Sequence, residues 1–135
     1  MGQQQLLLLV ISVVLVGIAT VGAFTVLERG YQQDEADGLL DRGLTIATSA
    51  VQWKATMDPY SGGNQSYEGL AENGLETLAL GPETVRGRFA VTAASERTLE
   101  VTGVSDRRPG IGIRVYVRDY SVDSSHVSFD GDIVL

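Results

Sequence analysis

Residues 6–27 read LLLLVISVVLVGIATVGAFTVL, an apolar run interrupted only by Ser12, Thr20 and Thr25. As a helix this run is about 33 Å long, enough to cross the hydrocarbon core of a bilayer. Serine and threonine hydroxyls can turn back onto carbonyls of their own helix, so these three residues do not spoil the segment. All 10 basic and 17 acidic residues of the chain lie after Leu27. The chain beyond the apolar run therefore reads as a polar, soluble module, and 135 residues suffice for one domain rather than two large ones.

Several fates are open to such a run. A cleavable secretory signal would carry a basic start and a shorter apolar core, whereas this chain begins Met-Gly-Gln-Gln-Gln. A plain single-pass anchor fits the length, but the flanks give no orientation signal. The N-terminal flank is neutral, and Glu28 and Arg29 cancel on the other side.

The residues after Leu27 carry more information than the run itself. Leu39, Gly43, Ile46, Ala50, Trp53 and Met57 recur at spacings of three and four, and Leu40, Leu44, Ala47 and Val51 widen the same face. That is the stripe of an amphipathic helix whose apolar side is covered by the rest of the protein. Residues 28–38 are polar and contain no proline, so the simplest account is one helix from about Leu6 to Met57, about 78 Å long. Asp58-Pro59 ends it, because the residue before a proline avoids the helical region.

The remainder alternates with period two. After a turn-rich loop at residues 60–66, the stretch from Tyr67 to Leu80 is broken by Gly69 and Gly74 and predicts a short helix or irregular segment, closed by Gly81-Pro82. Strand-like runs come next, at residues 88–92, 98–102, 111–118 and 126–130, with Ile133-Val134-Leu135 finishing the chain. Leu99 and Val101 share one face. Ile111, Ile113, Val115 and Val117 point inward, and Arg114, Tyr116 and Arg118 point outward. Turns are expected at residues 94–96, 106–110 and 123–125. The fold class is therefore α+β. Residues 1–57 form the helix, apolar over 6–27 and amphipathic over 28–57. Residues 58–135 form a head, a four-stranded antiparallel meander whose inner face covers the helix stripe.

This layout resembles type IV pilins and related filament subunits, in which a long N-terminal helix has an exposed apolar half and a half packed on a β-sheet head. The likeness covers the whole chain in layout and only its first 27 or so residues in sequence. It implies a structural subunit that waits in the cytoplasmic membrane, is assembled by pilus machinery, and polymerises with identical subunits into an extracellular helical filament. The implied subunit interface comprises Met1, Gln5, Leu6, Leu9, Val10, Val13, Val14, Gly17, Ile18, Val21, Gly22 and Phe24. If Met1 is the mature first residue, Gln5 stands where the family usually has a glutamate that pairs with a neighbour's amine. A glutamine cannot make that salt bridge, but its amide oxygen can accept a hydrogen bond from an ammonium group. Gly17 and Gly22 replace a proline often found near position 22. Either they let helices approach closely or they mark a locally stretched segment.

The composition gives little support to other functions. Net charge is -7 with a pI near 4.5, so phosphate backbones are repelled and nucleic acid is not expected along the head. There is no cysteine, hence neither a disulfide nor a thiol nucleophile. The single histidine, His126, has no partner in sequence, and no phosphate loop or nucleophile elbow occurs. Asp119, Asp123, Asp130 and Asp132 do not complete a calcium loop and read as solvated turns. No catalytic residue, metal or cofactor is expected, and an enzyme ranks behind both a filament subunit and an anchored binding module. Asn64-Gln65-Ser66 is an Asn-x-Ser triplet in a loop, which makes Asn64 a candidate glycosylation acceptor.

Overall fold

The computed structural model describes residues 2–58, 60 and 62–135. Met1 and Pro59 lie outside the described residues, and with them the expected Met1 contact and the proline of the expected helix stop. The chain is α+β: α1 (Gly2–Ala55), a 3-10 turn (Glu68–Leu70), α2 (Gly74–Thr77), β1 (Gly87–Ala94), β2 (Thr98–Ser105), β3 (Gly112–Arg118) and β4 (Ser121–Ser128). It divides into two compact units, residues 1–33 and 34–135.

α1 runs without interruption through Gly17, Gly22, Gly30 and Gly38. It begins four residues before the expected start and ends two before the expected Met57, which is 69% exposed and not part of the stripe. A returning loop captures the last carbonyls of the helix and so stops it. Gly63 N–H donates to Trp53 O at 2.8 Å, Gln65 N–H to Lys54 O at 2.8 Å and Asn64 N–H to Thr56 O at 3.2 Å. Orphan C-terminal carbonyls need such donors, and left-handed residues commonly supply the geometry. Here Asn64 and Gln65 take φ of 50° and 69°.

In residues 34–135, α1 buries Ala36, Leu39, Gly43, Ile46, Ala47 and Ala50. This is the expected stripe with two corrections. Leu44 sits at its exposed margin along with Met57, and the stripe extends to Glu35 and Lys54, two charged residues that apolar periodicity cannot flag. At Gly43 the helix comes close to the sheet, where a Cβ would lie 2.8 Å from Ile113 Cδ1 and 3.2 Å from Val115 Cγ2. The residue is small because the sheet leaves no room, in the middle of a helix that glycine otherwise weakens.

The sheet is an antiparallel meander in the order β1-β2-β3-β4. Leu99, Val101, Ile113, Val115 and Val117 form the inner face and are buried, as the alternation predicts. Phe89 of β1, Tyr67, Leu70 of the 3-10 turn and Leu75 of α2 complete the core. Tyr67 to Leu80 thus forms the short helical pieces expected there.

β1 and β2 run past the expected 92 and 102 to Ala94 and Ser105, and the C-terminal boundaries differ more. β4 occupies Ser121–Ser128, so residues 123–125 are strand and the reversal lies at Asp119 and Tyr120 instead. Serine-rich sequence reads as a turn, yet pairing with β3 supplies the extended partner that serine alone does not demand. Phe129 lies beyond β4, and Ile133-Val134-Leu135 is not a strand. Ile133 is instead buried as an irregular plug, its Cβ 2.8 Å from where a Cβ on Gly112 would stand.

Candidate functional site

The residues named as the interface on α1 are uncovered wherever they are described. Gln5, Leu6, Leu9, Val10, Val13, Val14, Gly17, Ile18, Val21, Gly22 and Phe24 are all exposed, from 50% at Val10 to 67% at Phe24 for the large side chains. The structure does not select them as a stripe, since Leu7, Leu8, Ile11, Leu15, Val16, Val26 and Leu27 are equally bare. A helix apolar on every side belongs in a bilayer or inside a larger assembly. Among the described residues, no Cβ at Gly17 or Gly22 would meet anything within 4 Å, so packing there does not require a glycine.

The polar atoms of the run are satisfied within the helix. Ser12 Oγ donates to Leu8 O at 2.8 Å, Thr20 Oγ1 to Val16 O at 2.7 Å and Thr25 Oγ1 to Val21 O at 3.0 Å. A segment of this length with its hydroxyls bonded internally meets the backbone and side-chain demands of a hydrocarbon environment. α1 is accordingly long and apolar enough to cross a membrane.

In residues 34–135, two polar locks fix the packed part of α1, and sequence reading singled out neither. At one end Glu35 is buried. Its Oε1 accepts from Ser105 Oγ at 2.8 Å and its Oε2 from Arg86 Nη1 at 3.3 Å. The Arg86 guanidinium lies across Gly38, whose missing Cβ would stand 2.7 Å from it. At the other end Lys54 Nζ donates to Asp119 O at 3.3 Å and lies 4.5 Å and 4.7 Å from the ring centroids of Tyr67 and Tyr120. The Tyr67 hydroxyl donates to the same carbonyl. Asp119, at φ 54°, turns its carboxylate outward to Arg97 Nε at 3.0 Å. Burial, followed by the neighbouring Tyr120 and Asp119, pushes the Tyr67 hydroxyl up to about 12. One backbone carbonyl thus joins the last turn of α1, Tyr67 and the β3–β4 turn. The signal in the sequence was faint: Lys54 is the only lysine, and it falls on the stripe at the i+4 position from Ala50.

The remaining candidates fall on the surface. His126 is exposed on β4 opposite Arg114. Asp123, Asp130 and Asp132 are exposed, and among the described residues no group of three or more His, Cys, Asp or Glu is arranged to hold a metal ion. On the outward sheet face Arg114 Nε lies 3.3 Å from Glu100 Oε1, which also accepts from Thr92 Oγ1 at 2.7 Å. Asn64 is exposed in the loop that caps α1. No protein-family model matches the chain, and no curated protein or solved structure matches it significantly.

Proposed function

We propose that this chain is the structural subunit of a pilus-like surface filament, held in the cytoplasmic membrane before assembly and polymerised outside the cell by pilus machinery. One observation carries the reading. Residues 6–27 are apolar on all sides and bare throughout, and they belong to the same unbroken helix whose later turns are built into a folded head. So much apolar surface is unstable in water, and a bilayer or a bundle of like helices removes it. A filament core of identical helices gives the same segment a second apolar environment after it leaves the membrane. In such a core, Gln5 accepts a hydrogen bond from a neighbouring subunit, because an unpaired amide among apolar side chains is costly. The head contributes an acidic, soluble exterior with no role for nucleic acid along it and no catalytic chemistry.

A second reading, a single-pass anchored binding module or a minor assembly component, draws on the same segment, whose length alone suffices for an anchor. Shearing cells, imaging the released material by cryo-electron microscopy and identifying its subunit by mass spectrometry separates the two. Thin filaments built of this chain are the expected result. A chain found only as a monomer in the membrane fraction would leave the anchored module.

A further inference from the structure

We propose that Asn64 is an N-linked glycosylation site, its side-chain amide carrying an oligosaccharide supplied by a lipid-linked sugar donor. This rests on the reading that the head is delivered to the outer side of the membrane, where lipid-linked donors and their transferases act on exported chains. The chain has two asparagines, Asn64 and Asn73, and both are exposed with left-handed φ, 50° and 52°. Only Asn64 is followed two residues later by a hydroxyl residue, in Asn64-Gln65-Ser66; Asn73 is followed by Gly74-Leu75.

The loop's geometry favours modification without disturbing the fold. Backbone groups of the triplet are committed to the end of α1, Asn64 N–H to Thr56 O and Gln65 N–H to Lys54 O, so the turn is held whatever the side chain carries. The Asn64 side chain makes no hydrogen bond among the described residues. Ser66 Oγ accepts from Glu68 N–H at 3.1 Å, which uses a lone pair and leaves the hydroxyl proton free. The same loop exposes Tyr60 at 99%, so the segment around the triplet is open to solvent.

In the transfer, the Asn64 amide nitrogen bonds to the anomeric carbon of the first sugar. The bond from that carbon to the lipid phosphate oxygen breaks, the lipid phosphate leaves with the electron pair, and a base of the transferase takes the amide proton. Nothing is oxidised or reduced.

The test is mass spectrometry of the full chain purified from its native cells. Trypsin cutting after Lys54 and Arg86 releases residues 55–86, which contain both asparagines. The expected result is a peptide heavier by an oligosaccharide localised by fragmentation to Asn64, with Asn73 bare. The mass should be lost in Asn64→Asp and Ser66→Ala and retained in Ser66→Thr. An unmodified wild-type peptide overturns the proposal, as does a sugar that persists in Asn64→Asp and is therefore attached to a hydroxyl. Protease shaving of intact cells separates this from the reading beneath it. A bare Asn64 on a shaved head refutes the glycan alone, whereas a protected head refutes both.

Discussion

Residues 6–27 and residues 34–55 of α1 are comparable lengths of one helix, and they are treated in opposite ways. The first is apolar all round and exposed throughout; the second is apolar on one side and is buried along that side. In the second, the covered positions have partners that explain them: Gly43 yields to Ile113, Glu35 meets Ser105 and Arg86, and Lys54 meets Asp119. In the first, the hydroxyls of Ser12, Thr20 and Thr25 bond to carbonyls of their own helix. The difference teaches where each stretch finds its stability. Residues 34–55 complete the core of their own chain. Residues 6–27 remain exposed, and their length and composition suit a membrane.

That contrast can be broken by experiment. The largest effect is expected from Val14→Asp or Ile18→Asp. On the proposed filament reading these positions face a dry helix bundle that does not tolerate a carboxylate, so sheared filaments should vanish from electron micrographs. The thermal melt of the head in detergent should not move, and unchanged filaments would refute the assignment of these residues to a filament core. Next comes a matched pair of truncations. Ile46→Ala removes a fully buried side chain and should cost about 2–5 kcal/mol in denaturant unfolding of the detergent-solubilised chain. Leu9→Ala, in the bare segment, should leave that unfolding curve where it is. Equal losses from the two would mean that the segments are not distinct in the way described.

Smaller effects probe the locks. Lys54→Met keeps the apolar stem and removes the ammonium from Asp119 O and from the two tyrosine rings, and should destabilise by about 1 kcal/mol. A neutral or stabilising result would show that packing of the stem is all that Lys54 contributes. The smallest is a pH effect. Tyr67 in the folded chain is held up to about 12, above the ordinary tyrosine value of 10.0. Below pH 10 both folded and unfolded chains keep the proton and its contribution to stability is complete. Between pH 10 and 12 the unfolded chain ionises first, so stability falls as pH rises through that window. Comparing wild type with Tyr67→Phe across about pH 8–12 by denaturant midpoint isolates this group from the other tyrosines. The variant should start lower, lacking the bond to Asp119 O, and should decline less steeply.

Much of this was legible because it depends on periodicity. The apolar run needs only a count of uncharged residues. The covered face of residues 39–50 repeats at helical spacing, and Ile113, Val115 and Val117 repeat at strand spacing, so the two faces that meet could be named before they were seen to meet. Glu35 and Lys54 were not legible. A buried charge looks the same in sequence as a solvated one, and only the carbonyl, hydroxyl and guanidinium that satisfy it make burial tolerable. β4 was misplaced for a related reason. Its residues Ser121–Ser128 are exposed except near Val127 and Ser128, so no alternation of apolar residues betrays the strand. The bulge between Tyr116 and Val117 in its pairing with β3 further blurs any period.

By itself, then, the sequence determined the division of α1 into an all-apolar and a one-sided stretch, the α+β class and the inward rows of the sheet, because these depend only on where water is avoided along regular backbone geometry. Tertiary structure alone decided which charges are buried, where the chain reverses between β3 and β4, and that Ile133 is buried without forming a strand. Each of those depends on a donor, acceptor or contact surface supplied by a residue far away in the chain, and local periodicity holds no record of such partners.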